Sequence, residues 1–100
     1  MMRGTTPTHT FNIPFDVDCV VETKVIYSQG DKQVLSKGTE DCALVGNTIS
    51  VTLTQEETFL FDSGKKLKIQ LRVLTKEGEA LASHIILADV DQCLDEEVLK

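Results

Sequence analysis

The sequence predicts an all-β fold, an antiparallel sandwich of two sheets, and three observations predict it. Apolar and hydroxyl side chains alternate strictly through Thr48-Ile49-Ser50-Val51-Thr52-Leu53-Thr54. Apolar and polar side chains alternate again through Lys66-Leu67-Lys68-Ile69-Gln70-Leu71-Arg72-Val73, and glycines stand singly between such runs. A period of two is what a strand needs when one face is buried and the other is wet, and isolated glycines supply the reversals. One hundred residues, 41% of them hydrophobic and 26% charged, suit a single domain with one core.

The elements follow in order. Residues 1–7 carry no periodic pattern and are expected to form a flexible N-terminal arm. His9-Thr10-Phe11-Asn12-Ile13-Pro14-Phe15 alternates, but Pro14 has no N–H to give a ladder, so this strand belongs at an edge or ends there. Val21, Thr23, Val25 and Tyr27 are in phase; Ser28-Gln29-Gly30-Asp31 closes that strand, and Gln33-Val34-Leu35-Ser36 answers it as a hairpin. Asp41 to Val45 is a short strand, with Gly46-Asn47 turning into the strand at 48–54.

Thr54-Gln55-Glu56-Glu57 fits a capping box, so a single helical turn is expected near 55–58, with Phe59 and Phe61 packing inward after it. Asp62-Ser63-Gly64-Lys65 then reverses the chain. The strand at 66–73 is expected to pair with Ala80 to Leu87 across Thr75-Lys76-Glu77-Gly78-Glu79, with Leu81, Ser83, Ile85 and Leu87 in phase. Val90, Leu94 and Val98 are spaced four apart, which predicts a C-terminal arm or short helix over 91–100. Six or seven short strands and one helical turn give an immunoglobulin-like two-sheet architecture, with a small barrel as the alternative. The chain has no Trp, and its one Tyr lies in an early strand, so the expectation concerns architecture and not membership of the antibody class.

The formal charge of -6 favours solubility and opposes contact with polyanions, which argues against nucleic acid and anionic membranes as partners. No apolar run of leader length follows the N-terminus, and Ile85-Ile86-Leu87-Ala88 is too short to span a bilayer, so synthesis in the cytoplasm is expected. Cys19, Cys42 and Cys93 include no Cys-x-x-Cys pair and are expected to be idle thiols.

Carboxylates cluster at Asp16 and Asp18, at Asp89 and Asp91, and at Asp95-Glu96-Glu97, but no EF-hand loop holds them together, and solvated turn acids explain them. His9 and His84 have no nucleophile in pattern with them, and Ser83 and His84, adjacent on a strand, face opposite ways. Gly-rich phosphate loops are missing, and the few aromatic residues fall mostly at core phases. Lys65, Lys66, Lys68 and Arg72 form a basic stripe suited to solvent or to a neighbour's acidic tail. The expectation is therefore a non-enzymatic protein with no catalytic residues, no cofactor and no metal.

Four phrases carry a resemblance: Arg3-Gly4-Thr5-Thr6-Pro7-Thr8-His9, Leu53-Thr54-Gln55-Glu56-Glu57-Thr58-Phe59, Ile69-Gln70-Leu71-Arg72-Val73-Leu74 and Cys93-Leu94-Asp95-Glu96-Glu97-Val98-Leu99. Together they resemble small prophage-encoded proteins from gene regions for virion structure and assembly. The resemblance implies a phage structural or accessory role in a tail, baseplate or connector, with synthesis in a bacterial host and incorporation into the virion. It implies other virion proteins, or copies of the chain itself, as partners, and it carries over no site residues. A generic immunoglobulin-like adhesion or ligand-binding module is the alternative. Thr5, Thr6 and Thr8 before the first strand, and Val98 and Leu99 at the end, are the candidate interface residues. Deleting residues 95–100 is expected to weaken association while leaving the fold intact.

Overall fold

A computed structural model describes residues 1–100. Eight strands and one α-helical turn succeed one another: β1 (Thr8–Asn12), β2 (Val20–Gln29), β3 (Lys32–Gly38), β4 (Cys42–Val45), β5 (Thr48–Thr52), α1 (Gln55–Thr58), β6 (Leu67–Thr75), β7 (Ala80–Ala82) and β8 (Ile86–Ala88), with short 3-10 turns at Val17–Cys19 and Thr39–Asp41. They form two sheets, one ordered β1-β5-β4 and the other β3-β2-β6-β7, with β8 pairing β6 beyond β7. Every ladder is antiparallel. The fold is thus a two-sheet antiparallel sandwich and not a closed barrel, as the alternation predicts. In constant-type immunoglobulin sheets the second strand lies beside the first and fifth; here β2 lies between β3 and β6.

Alternation builds the core directly. Thr23, Val25, Tyr27 and Gln29 of β2 and Leu67, Ile69, Leu71 and Val73 of β6 turn inward and are buried. Phe11, Ile49, Val51 and Leu53 meet them from the other sheet, and the 13 buried apolar residues form one continuous cluster, so there is one core. The hairpin turns are equally local. Gln29 opposes Lys32 and Val45 opposes Thr48, which leaves Gly30-Asp31 and Gly46-Asn47 as two-residue loops. Gly30 and Gly46 each have φ 61° while their partners stay at negative φ, the pattern of a type II′ turn with glycine first.

α1 is the single turn that the capping box predicts. Thr54 Oγ1 accepts from Glu57 N at 3.1 Å, and Glu57 Oε1 accepts from Thr54 N at 2.8 Å. Phe61 is fully buried behind it, whereas Phe59 is only half-buried.

One expectation needs correction, and one alternative falls away. Ile85 and Leu87 do not share the phase of Leu81. Val73 opposes Leu81, yet Ile69 opposes Ile86, so one extra residue enters the chain between β7 and β8. The cause is Ser83, whose N–H donates to Leu71 O at 2.8 Å while its Oγ accepts from Leu71 N at 3.0 Å. A side-chain oxygen takes the place of a ladder carbonyl, and the resulting bulge hands the inward positions to Ile86 and Ala88. Of the arm and the short helix expected as alternatives over 91–100, the helix does not form. Leu94 is fully exposed, so the spacing of Val90, Leu94 and Val98 has no common face to bury, and a short helix without burial is unstable in water.

Candidate functional site

Both terminal segments converge on α1. The Met1 ammonium donates to Asp89 O at 2.7 Å, Met2 and Asp91 form a parallel bridge, and Gly4 N donates to the buried Thr58 Oγ1 at 2.8 Å. The Arg3 guanidinium donates to Phe59 O at 3.0 Å, lies 5.4 Å from the Phe59 ring centroid, and pairs with Glu96 at 2.6 Å. Gly4 has φ 79°, and a Cβ built on it would stand 2.8 Å from the Phe59 ring, so this close approach requires glycine. The Gln55 amide holds the main chain of Leu99 from both sides: its Nε2 donates to Leu99 O at 3.0 Å and its Oε1 accepts from Leu99 N at 2.9 Å.

The candidate interface residues sort themselves around this junction. Thr5 and Thr6 are exposed, and Thr5 O faces Thr58 Oγ1 at 3.4 Å. Thr8 is exposed too, and its Oγ1 lies 2.7 Å from Thr52 Oγ1 across the β1–β5 ladder. Val98 is half-buried, and Leu99 is held by its backbone while its side chain stays exposed. Thr5 and Leu99 are thereby brought to one end of the sandwich through α1, while Thr8 belongs to the sheet.

The second surface is the seam between β1 and β7–β8. On the opposite side of the molecule the chain itself closes the sandwich, because Thr39–Asp41 carry it straight from β3 in one sheet to β4 in the other. No such crossing closes the side of β1. A cleft of about 570 Å³ opens there, with Phe11, Ile13 and Phe15 on one lip and Leu71, Val73 and Leu81 on the other; no Asp, Glu, Lys or Arg lines it. Its outer rim is apolar as well: Ile85 is 56%, Ile86 46% and Leu87 61% exposed. From Ala80 to Ala88 the chain bears no carboxylate, ammonium or guanidinium. The other edges are guarded differently. β3 carries Lys32 and the inward-pointing Lys37, β4 follows Glu40 and Asp41, and β1 ends before Pro14.

The remaining polar candidates are engaged structurally. Asp16 Oδ1 caps the turn at Asp18 N, and Asp89 pairs with Lys66, whose ammonium holds the carboxyl below its usual range. Lys65 pairs with Asp62, and Lys68 Nζ lies 3.4 Å from Gly30 O, so much of the basic stripe is used within the molecule. No three His, Cys, Asp or Glu side chains gather as a metal set would. The cysteines are unpaired; Cys19 is exposed, and burial pushes the half-buried Cys42 thiol up. His9 is linked to the core, its Nδ1 lying 2.8 Å from the Tyr27 hydroxyl. Burial and the terminal ammonium depress the His9 pKa, and burial above all raises that of Tyr27. His84 lies on the rim of the cleft.

Sequence reasoning picked out the terminal segments but missed the seam. The signal for it was present: Ile85-Ile86-Leu87-Ala88 is an unbroken run of four aliphatic residues, and no Asp, Glu, Lys or Arg interrupts the nine residues around it. No helix is long and apolar enough to cross a membrane. Set against protein-family models, curated proteins and solved structures, the chain matches none of them.

Proposed function

We propose that this chain is a non-enzymatic structural or accessory protein of a phage-type particle, acting through protein–protein contacts in tail, baseplate or connector assembly. The observation that carries the reading is the open, charge-free seam with Ile85, Ile86 and Leu87 exposed on its rim. Contiguous exposed apolar surface on a small domain marks a place where another macromolecule packs. A free strand edge also offers main-chain hydrogen bonds to a neighbour, so affinity needs no reactive group. The resemblance of the four phrases to prophage assembly proteins supplies the biological setting, and the charge of -6 favours protein over polyanions as the partner.

The test is mass spectrometry of particles purified after induction of a lysogen that carries the gene. The chain is expected in the particles in several copies each. Abundance in the lysate together with absence from particles, at every stage of assembly, overturns the role.

A further inference from the structure

We infer that the β7–β8 edge is a self-pairing surface, at which two copies of this chain join their large sheets antiparallel about a twofold axis. This rests on the reading above that the chain works through protein contacts, and it names a second copy as the partner of the seam.

The first support is a mismatch between composition and position. Ile86 opposes Ile69 and so faces the cleft, whereas Leu87 opposes Lys68 and so faces away from it. Both side chains are large and exposed, and Ile85, in phase with Leu87, is exposed too. A strand that is apolar on both faces has the make-up of an interior strand, covered on both sides and flanked by neighbours. Yet β8 has a neighbour only in β6, and its other edge has no strand beside it as far as Ala88, with the N-terminal residues pairing just beyond, at Asp89 and Asp91.

The second support is electrostatic. Two copies, each with a net charge of -6, repel wherever their carboxylates face each other. Between Ala80 and Ala88 there are none, so this is where copies can meet without a like-charge cost. The edge of β3, by contrast, would bring the exposed Lys32 of each copy into the contact.

The third support is symmetry. An isologous contact requires a patch complementary to itself, and an uncharged antiparallel edge meets that requirement, because the N–H and C=O groups of one copy serve those of the other. The pairing would carry the partner's rim toward the mouth of the cleft that Leu81 and Ile86 line.

The size of the patch sets the strength. Leu81, Ile85, Ile86 and Leu87 expose on the order of 400 Å² of apolar surface per copy, so the dimer buries roughly 1,000 Å² with its backbone rim, at the low end for a specific interface. A weak, reversible dimer follows, and not an obligate one.

Sedimentation equilibrium of the purified chain tests the inference from micromolar to near-millimolar concentration. The wild type is expected to pass from monomer to a mass twice as large, and no further. The Ile85→Lys/Leu87→Lys variant is expected to stay monomeric with an unchanged far-ultraviolet circular dichroism spectrum, since both positions are exposed. Val45→Lys, at an exposed apolar position on β4, is expected to dimerise like the wild type. Hydrogen exchange supplies a readout without substitution: amides between Ala82 and Ala88 gain protection as wild-type concentration rises.

A wild type that remains monomeric throughout overturns the inference. So does a dimer that survives the double substitution, a Val45→Lys variant that loses it, or growth into open oligomers. A monomer that is nevertheless found in particles sinks the twofold edge and leaves the assembly role standing; a dimer never found in particles does the reverse.

Discussion

Tyr27 joins the two sheets through one hydrogen bond, because its hydroxyl leaves β2 and meets His9 of β1 at 2.8 Å while its ring packs 5.7 Å from that of Phe61. A buried phenol needs such a partner, and neutral His9 can accept at Nδ1. Burial, reinforced by the Met1 ammonium, lowers the His9 pKa from the ordinary 6.5. The unfolded chain therefore takes up a proton at His9 before the folded one does. Stability is at its full value above the unfolded pKa, falls as pH drops below 6.5, and levels off once the folded pKa is passed. Urea denaturation between about pH 8 and about pH 5 should show this loss. His9→Gln is expected to flatten the slope in that window, whatever it does to stability at pH 8. An unchanged slope removes His9 as its source. At lower pH, Glu57 takes over: burial raises its pKa, but the Lys37 ammonium and the Thr54 N–H more than reverse this, so its contribution is lost as pH falls through the lowered folded value.

At the scale of the element, α1 has only four residues and could not persist alone. Its reciprocal capping pair holds it, and Glu57 also reaches Lys37 of β3 at 2.6 Å, with both side chains largely buried. Thr54→Ala should cost about 1 kcal/mol, the usual loss of an N-cap. Glu57→Ala should cost more, roughly 2–3 kcal/mol, since it also strands the Lys37 ammonium. Chemical denaturation of the two variants gives the order, and equal losses would show that the ion pair adds nothing.

The capping box was legible because all its parts lie within four residues, as were the glycine turns and the strands at 48–52 and 67–75. The phase of β8 was not. Ser83 earns its bulge only by meeting Leu71 from another strand, and no local pattern announces a hydroxyl standing in for a carbonyl. The terminal segments show the same limit. Thr5 and Leu99 were marked by their position and polarity, but Gln55 and Thr58, which hold those segments, lie about fifty residues from Thr5 and about forty from Leu99, and only the fold brings them together.

For the whole molecule, shape follows from the two thin layers. The Cα envelope measures 46 × 31 × 16 Å, and the radius of gyration of 14.3 Å exceeds the roughly 13 Å of a compact chain this long. Such a slab buries little per residue, with 16 of 100 residues in the interior, and it leaves apolar side chains at its margins. The chain passes between the layers three times: before β2, between β3 and β4, and through α1. Those passages stitch three margins of the slab; no passage crosses the fourth, which is held at one end only, where Met1 and Arg3 pair with Asp89 and Asp91. Under mild denaturant the layers should part there first, as the pages of a book part opposite the spine. In dilute monomeric protein, amides of β1 and β8 would then exchange with solvent well ahead of those in β2 and the middle of β6, whereas a slab that melts evenly would expose them together.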